Sequence, residues 1–285
     1  MNPDSLQTRL FGQTNRKVTL VGLGGEGVLR THGLEEAARE VIETALEEGI
    51  TYFDSARAYA GSETYYGLVW PRRTSLRDKI FQTSKSAMRT KAEALKDLDH
   101  TLRNMGLDYL DLWQIHDVRT EEDFQTIAGP RGALEAFIEA KTKGKIRHIG
   151  VTGHHDPWIL TRAVREWPVD SVLLPVNPVE VLLGGFLTET LTAARQKGVA
   201  VIGMKVLGAG HYVIPGSGIT AEMLIRFALS QPVTLTIVGC SNPEEVRTLS
   251  RIGHRFEPLS SREQEEILSL FSPYARRLAY YRGVI

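Results

Sequence analysis

Eight short runs of apolar, often β-branched residues recur along this chain, at 18–24, 51–56, 79–86, 109–116, 146–154, 171–178, 200–208 and 235–240. Between them lie longer stretches with apolar residues three or four positions apart. The short continuous runs predict strands, and the helical spacing predicts helices. In 34–49, Ala38, Val41, Ile42 and Ala45 form one stripe opposite a row of glutamates, and Gly49 offers a C-terminal stop. Helices are predicted likewise over 62–70, 91–106 (stopping at Gly106), 132–145, 157–167, 188–198, 220–231 and 243–252, with an extra C-terminal helix at 260–271. This alternation predicts a parallel β/α architecture. Over 285 residues, a closed (β/α)8 TIM barrel suits the element count better than an open sheet. The opening RLFGQTNRKV reads as an N-terminal β-hairpin turning near Gln13-Thr14-Asn15, placed to plug the barrel bottom. No linker, low-complexity tract or composition break divides the chain, so 1–285 is expected to be a single domain.

Composition narrows the function classes. The 34 Lys plus Arg are balanced by 34 Asp plus Glu, which leaves no basic excess to release counterions from nucleic acid. No apolar run is long enough to span a bilayer, so no membrane partner is expected. The N-terminal MNPDSLQTRLFG lacks the basic-then-apolar layout of a secretion signal, so a cytoplasmic protein is expected. Cys240 is the only cysteine, which excludes disulfide frameworks and cysteine-based metal sites within one chain. Nothing in the sequence sets an oligomeric state.

The stretch VTLVGLGGEG contains Gly22, Gly24 and Gly27 as a G-x-G-x-x-G after an apolar run. A Rossmann phosphate loop needs its third glycine to open a helix, and an acid about 20 residues on at a strand end. Here VLRTHG separates Gly27 from helix 34–49, and Glu47 and Glu48 lie inside that helix. Asp54 does end the second strand, but several residues late. The glycines are therefore read as letting the backbone turn tightly at a barrel mouth.

In such a barrel, chemistry sits at the C-terminal ends of the strands. There the second run ends in Asp54, with Tyr59 five residues on; the third ends in Lys85 and the fourth in His116. Each alone reads as an ordinary surface, rim or packing residue. Three titratable groups at successive strand ends are costly to bury unless paired, and together they point to a site. Their joint chemistry suits carbonyl reduction. A nearby Lys⁺ would draw a phenol down from its usual pKa of about 10, and an Asp would hold the Lys charged. A His would orient the substrate oxygen, and Tyr59 would give its proton as a hydride arrives.

FDSARAYAGSE, QTSKS and LDLWQIHD closely resemble the motifs of the aldo-keto reductases, a divergent bacterial-type branch of which this chain resembles over nearly its whole length. VGLGGEG is similar to the family's first strand and loop, IRHIGVTGH to its I-G-V-S-N segment, VIGMKVLGAG to its seventh-strand segment, and IVGCSNPEEV to its cofactor segment. The resemblance implies Asp54, Tyr59, Lys85 and His116 as the catalytic tetrad and a small-molecule carbonyl as substrate. It implies NADP(H) as cofactor, held along Gly24, Thr152, Lys205, Leu207, Gly208, Gly239, Ser241 and Glu245. Departures are visible. Gly153 stands where an asparagine is usual, Leu173 where a glutamine is usual, and Met204 where an aromatic usually stacks on the nicotinamide. Glu245 replaces a common Arg or Gln. A carboxylate there repels a 2′-phosphate, which keeps NAD(H) open, although Arg247 and Arg251 could compensate. As a first-turn acid of a helix, Glu245 is also favoured by the dipole.

His154 and His155 invite a metal reading. The first strand lacks the H-x-H that metal-dependent barrels use, so no metal is expected; His154 is placed by the pocket, and His155 as a cap or in solvent. Two further functions stand beside reduction: a class I aldolase-like lyase with Lys85 as Schiff-base residue, and a non-enzymatic, nucleotide-sensing partner protein. Tyr212, Tyr280, Tyr281 and Trp158 are candidate pocket aromatics, and Arg276, Arg277 and Arg282 candidate anion contacts, or ordinary packing and surface groups.

Overall fold

The computed structural model describes residues 6–214 and 216–283. Strands β1 (Thr8–Leu10) and β2 (Lys17–Thr19) pair antiparallel, with Thr8 opposite Thr19. Eight parallel strands follow: β3 (Val21–Gly27), β4 (Tyr52–Phe53), β5 (Phe81–Ser86), β6 (Leu110–Ile115), β7 (Ile146–Thr152), β8 (Ser171–Pro175), β9 (Ala200–Met204) and β10 (Leu235–Cys240). Each pairs with the next, and β10 closes on β3 with Ile237 opposite Gly22, forming a barrel. Every predicted strand is present. The second shrinks to two residues because the chain turns away at Asp54 to begin a loop.

The hairpin plugs the floor as its sequence suggested. Phe11 at its tip is wholly buried among Val18, Tyr52, Phe81, Leu112, Leu173, Ala200, Ile202 and Leu235. Its ring centroid lies 4.7 Å from that of Phe81, and Tyr52 stacks on Phe81 at 5.4 Å. With the floor sealed by apolar packing, the mouth is the end left open for polar side chains.

The helices form an outer layer. Helix Glu35–Glu47 buries Ala38, Val41, Ile42 and Ala45, the predicted stripe. Helix Lys91–Met105 starts at a Thr90 cap and ends at Gly106, in the left-handed region at φ 63°. The C-terminal helix Ser261–Phe271 begins with a Ser260–Glu263 capping box. Besides the single turn Ala275–Leu278, two helices escaped the periodicity reading: Glu121–Ala128, capped by Thr120, and Pro178–Leu183, capped by Asn177. Both are too short for a repeating stripe, though Thr120-x-x-Asp123 and Asn177-Pro178 are start signals. The predicted helix 188–198 begins with a π-helical turn, Phe186–Thr190, before Leu191–Lys197. No described helix is long and apolar enough to cross a membrane.

Candidate active site

Strand alternation puts Tyr52, Phe81 and Leu112 toward the barrel axis. Two residues further on, at Asp54, Thr83 and Gln114, the same parity continues, and it reaches Lys85 and His116 at the mouth. Lys85 and Asp54 are buried, at 0% and 1% side-chain exposure. The Lys85 ammonium donates to Asp54 Oδ2 at 2.6 Å and to the Ser55 carbonyl at 2.7 Å. Thr83 donates to the other carboxylate oxygen at 3.0 Å. The Tyr59 ring lies over this pair, its centroid 4.7 Å from Lys85 Nζ. His116 meets the same ring edge-on, with centroids 5.6 Å apart. The four groups converge at the barrel mouth.

Burial pushes the Lys85 ammonium below its usual pKa, with Asp54 opposing. Burial likewise pulls the His116 imidazole down to about 3, helped by the Lys85 charge. His116 is therefore neutral at ordinary pH and carries one N–H donor. The Tyr59 phenol is raised well above 10, first by burial and then by the Asp54 charge. This corrects the expectation that Lys85 lowers it. The ammonium donates to Asp54 and Ser55, and burial of the phenol holds its proton on.

The glycine loop serves this arrangement. A Cβ on Gly25 would lie 2.6 Å from Tyr59 Cδ2, so the bare backbone is what lets the ring seat. Gly27 has φ 69°, and a Cβ there would meet the Cys240 carbonyl at 2.4 Å. Sequence reasoning missed Gly25, Thr83 and Arg30, whose guanidinium stacks 5.0 Å from the Tyr59 centroid while paired to Glu26 at 2.6 Å. Thr83 could have been found from its inward parity two residues before Lys85; Arg30 gives no signal.

The proposed cofactor positions divide into two groups. Several are engaged within the protein. Gly24 packs against the Gly239 backbone, Gly239 against Glu26, and Gly208 against the Tyr212 ring. The Thr152 hydroxyl accepts from the Asp117 N–H at 2.8 Å. Glu245 accepts from the Ser241 N–H at 2.7 Å and lies in the first turn of helix Pro243–His254, the capping role its position allowed. Arg247 and Arg251 are drawn to Glu244 at 3.8 and 3.7 Å rather than to Glu245. Others remain available. Lys205 follows β9 with φ 52°, and among the described residues no carboxylate oxygen lies within 4 Å of its ammonium. Leu207 is partly buried beside it, and Ser241 is exposed at the end of the neighbouring β10. A half-buried cation and an exposed hydroxyl on adjacent strand ends fit a diphosphate.

The C-terminal segment roofs one side of the mouth. Tyr281 donates to Glu180 Oε1 at 2.7 Å and accepts from Asn177 Nδ2 at 3.0 Å, and Arg282 pairs with buried Glu180. Arg282 is thus a structural ion pair rather than an anion contact, while Arg276 and Arg277 are exposed. Tyr212 is buried and donates to the Leu278 carbonyl, Tyr280 donates to the Gly208 carbonyl, and Trp158 is exposed. His154 lies between Asp117 Oδ1, at 3.4 Å, and the Tyr281 carbonyl, at 3.1 Å. His155 neither caps nor faces solvent freely. Asp156 caps the next helix, and the His155 ring lies against Gly283.

A barrel with an Asp–Lys pair under a tyrosine and a histidine at its mouth is an arrangement able to hold and move a proton. The model described as the Aldo/keto reductase family matches residues 21–213, and the chain belongs to that family. Curated relatives include the Schizosaccharomyces pombe protein named aldo-keto reductase yakc (NADP(+)), 28% identical over 72% of this chain and 62% of its own. L-galactose dehydrogenase of Arabidopsis thaliana is 28% identical over 72% of this chain and 66% of its own. The matches thus span under two thirds of these relatives' lengths. Among solved structures, an aldo/keto reductase from Klebsiella pneumoniae in complex with NADP and acetate superposes with TM-score 0.77 at 22% identity, covering 94% of this chain and 96% of that one. The holo form of a Bacillus halodurans aldo-keto reductase gives 0.75 at 22%, covering 93% and 96%.

Proposed function

We propose that this protein is an NADP(H)-dependent reductase of small aldehydes or ketones, with NAD(H) as the alternative cofactor. The reading treats 1–285 as one domain, because β10 closes on β3 more than two hundred residues away. One observation carries it: Lys85 bonded to Asp54 at 2.6 Å beneath the Tyr59 ring, with His116 at that ring's edge. Family membership and the NADP named for a relative and a structural neighbour support the cofactor. When bound, the nicotinamide supplies the hydride. Neutral His116 donates a hydrogen bond to the carbonyl oxygen and orients it. Tyr59, held protonated by burial, delivers its proton to that oxygen as negative charge grows there. An alkoxide is far more basic than a phenolate, so a raised phenol still transfers downhill. Asp54 and Thr83 hold Lys85 in place beneath the Tyr59 ring. Lys205 and Ser241 would hold the diphosphate, and the apolar mouth residue Met204 would contact the nicotinamide.

The aldolase alternative is not favoured. Lys85 Nζ is fully buried and its two strong hydrogen bonds are spent, so a substrate carbonyl carbon has no approach to it. The test is fluorescence titration with NADPH and NADH, together with aldehyde reduction by the wild type and Tyr59→Phe. Expected are nucleotide binding by both proteins and a rate loss of about 10²–10⁴-fold in the variant. Undiminished turnover would remove Tyr59 as the acid, failure to bind either nucleotide would favour the lyase reading, and binding without turnover by the wild type would favour the nucleotide-sensing one.

A further inference from the structure

Arg89 lies three residues beyond β5, the strand that carries Lys85, yet its guanidinium is committed to the loop that carries His116. Nη1 donates to the His116 carbonyl at 2.8 Å and Nη2 to the Asp117 carbonyl at 2.8 Å. Nε and Nη2 also pair with the two Asp123 oxygens, at 2.8 and 3.3 Å. Among the described residues, Arg89 is the only side chain bonded to either carbonyl. The loop needs such a clamp, because Asp117 sits at φ 56°, a left-handed conformation that side chains other than glycine rarely hold unaided. Its other contacts fix the amide side: the His116 N–H donates to the Ser86 carbonyl at 2.9 Å, and the Asp117 N–H to Thr152 Oγ1. A planar fork of five donors can serve two carbonyls and a carboxylate at once, which an ammonium cannot do with the same geometry.

We propose that Arg89 is a positioning residue for the reduction: by gripping the His116 and Asp117 carbonyls it aims the His116 imidazole at the substrate oxygen. The inference rests on the reductase reading above. The imidazole hydrogen bond strengthens as charge develops on that oxygen, so a misaimed ring costs turnover rather than binding. A shift of about 1 Å is enough to cost about 10²-fold.

The test uses the full chain with NADPH and 4-nitrobenzaldehyde, with Arg89→Ala, Arg89→Lys and Asp123→Asn beside the wild type. Arg89→Ala is expected to keep its thermal midpoint near that of the wild type and to bind NADPH within about twofold. Its kcat is expected to fall about 10²-fold with KM little changed. Arg89→Lys recovers less than a tenth of the loss, and Asp123→Asn, which loosens the fork without removing it, is intermediate. Millimolar guanidinium should restore kcat about tenfold in Arg89→Ala and leave the wild type unaffected. A surface cavity of about 550 Å³ lined in part by Arg89, Leu95 and Thr126 gives the ion access. A general structural role would not respond to that ion. Retention of kcat within threefold by Arg89→Ala, loss of NADPH affinity in step with kcat, or a folded variant that guanidinium does not rescue overturns the proposal. Should Arg89→Ala not fold, Asp123→Asn decides, and wild-type turnover in it overturns the proposal. A wild type that reduces no carbonyl while binding NADPH sinks the reductase reading itself, a result distinct from all of these.

Discussion

Gly25→Ala is the smallest change that should disable the site. The added Cβ would lie 2.6 and 2.8 Å from Tyr59 Cδ2 and Cε2 and 3.2 Å from the Asp54 carbonyl. Carbon atoms pack at about 3.5–4.0 Å, so the ring must retreat by about 1 Å. It cannot retreat freely, because Lys85, Arg30 and His116 hold it, at 4.7, 5.0 and 5.6 Å from its centroid. A displacement of that size at the proposed proton donor should cost about 10²-fold in kcat, or about 2.7 kcal/mol of transition-state stabilisation. Gly25 has no positive φ, so alanine strains no backbone torsion and the protein should fold. The assay follows NADPH consumption with a small aldehyde in single-turnover mode. The same substitution is then repeated in a Tyr59→Phe background. If Gly25→Ala acts through the phenol, the second mutation should add little to the first. A Gly25→Ala enzyme within threefold of wild type, or fully additive losses, would refute the claim that this glycine exists to seat the tyrosine.

Four other outcomes follow from the same geometry. Lys85→Met or Asp54→Leu alone leaves a buried unpaired charge and should destabilise by about 3–5 kcal/mol in urea, whereas the double variant should recover at least half of that; equal losses in all three would show that the pair is not coupled. Because His116 is held near 3, kcat/KM should show no His116 break between pH 5 and 8, and a break near 6.5 that vanishes in His116→Gln would contradict its burial. By linkage, the unfolded chain takes up this proton before the folded one, so stability should fall as pH drops through 6.5 toward 3, with no His116 contribution above that window. Glu245→Arg should shift the NADPH-to-NADH affinity ratio about tenfold toward NADPH, measured by fluorescence quenching; no shift would place Glu245 outside the reach of a 2′-phosphate.

Hydrophobic periodicity was sufficient for the barrel because strands and helices bury different repeating faces of the same local sequence. The stripe of Ala38, Val41, Ile42 and Ala45, the eight apolar runs and the Phe11 hairpin are each readable within a dozen residues. Helices Glu121–Ala128 and Pro178–Leu183 were not, because two turns are too few to establish a stripe and only their caps mark them. The meeting of Asp54, Lys85 and His116 was legible because titratable residues ending apolar strands are costly to bury unless they meet a partner, whereas Tyr59, in a loop, was singled out by the family resemblance. The strand parity that brings them to one end of a barrel follows from the fold.

What the sequence by itself determined is therefore periodic and local: the elements, their order, and which residue types stand at strand ends. What only the tertiary structure decided is how those residues spend their hydrogen bonds. Lys85 donates to Asp54 and Ser55, Glu245 accepts from the Ser241 N–H at the start of its own helix, and Arg282 is locked on Glu180. Arg89 reaches across from one loop to grip the next. The physical reason is that periodicity records which face of an element leaves water, a property of neighbours along the chain. A side chain's partner, and hence its charge state, depends on a few ångströms of distance between residues that chain closure alone brings together.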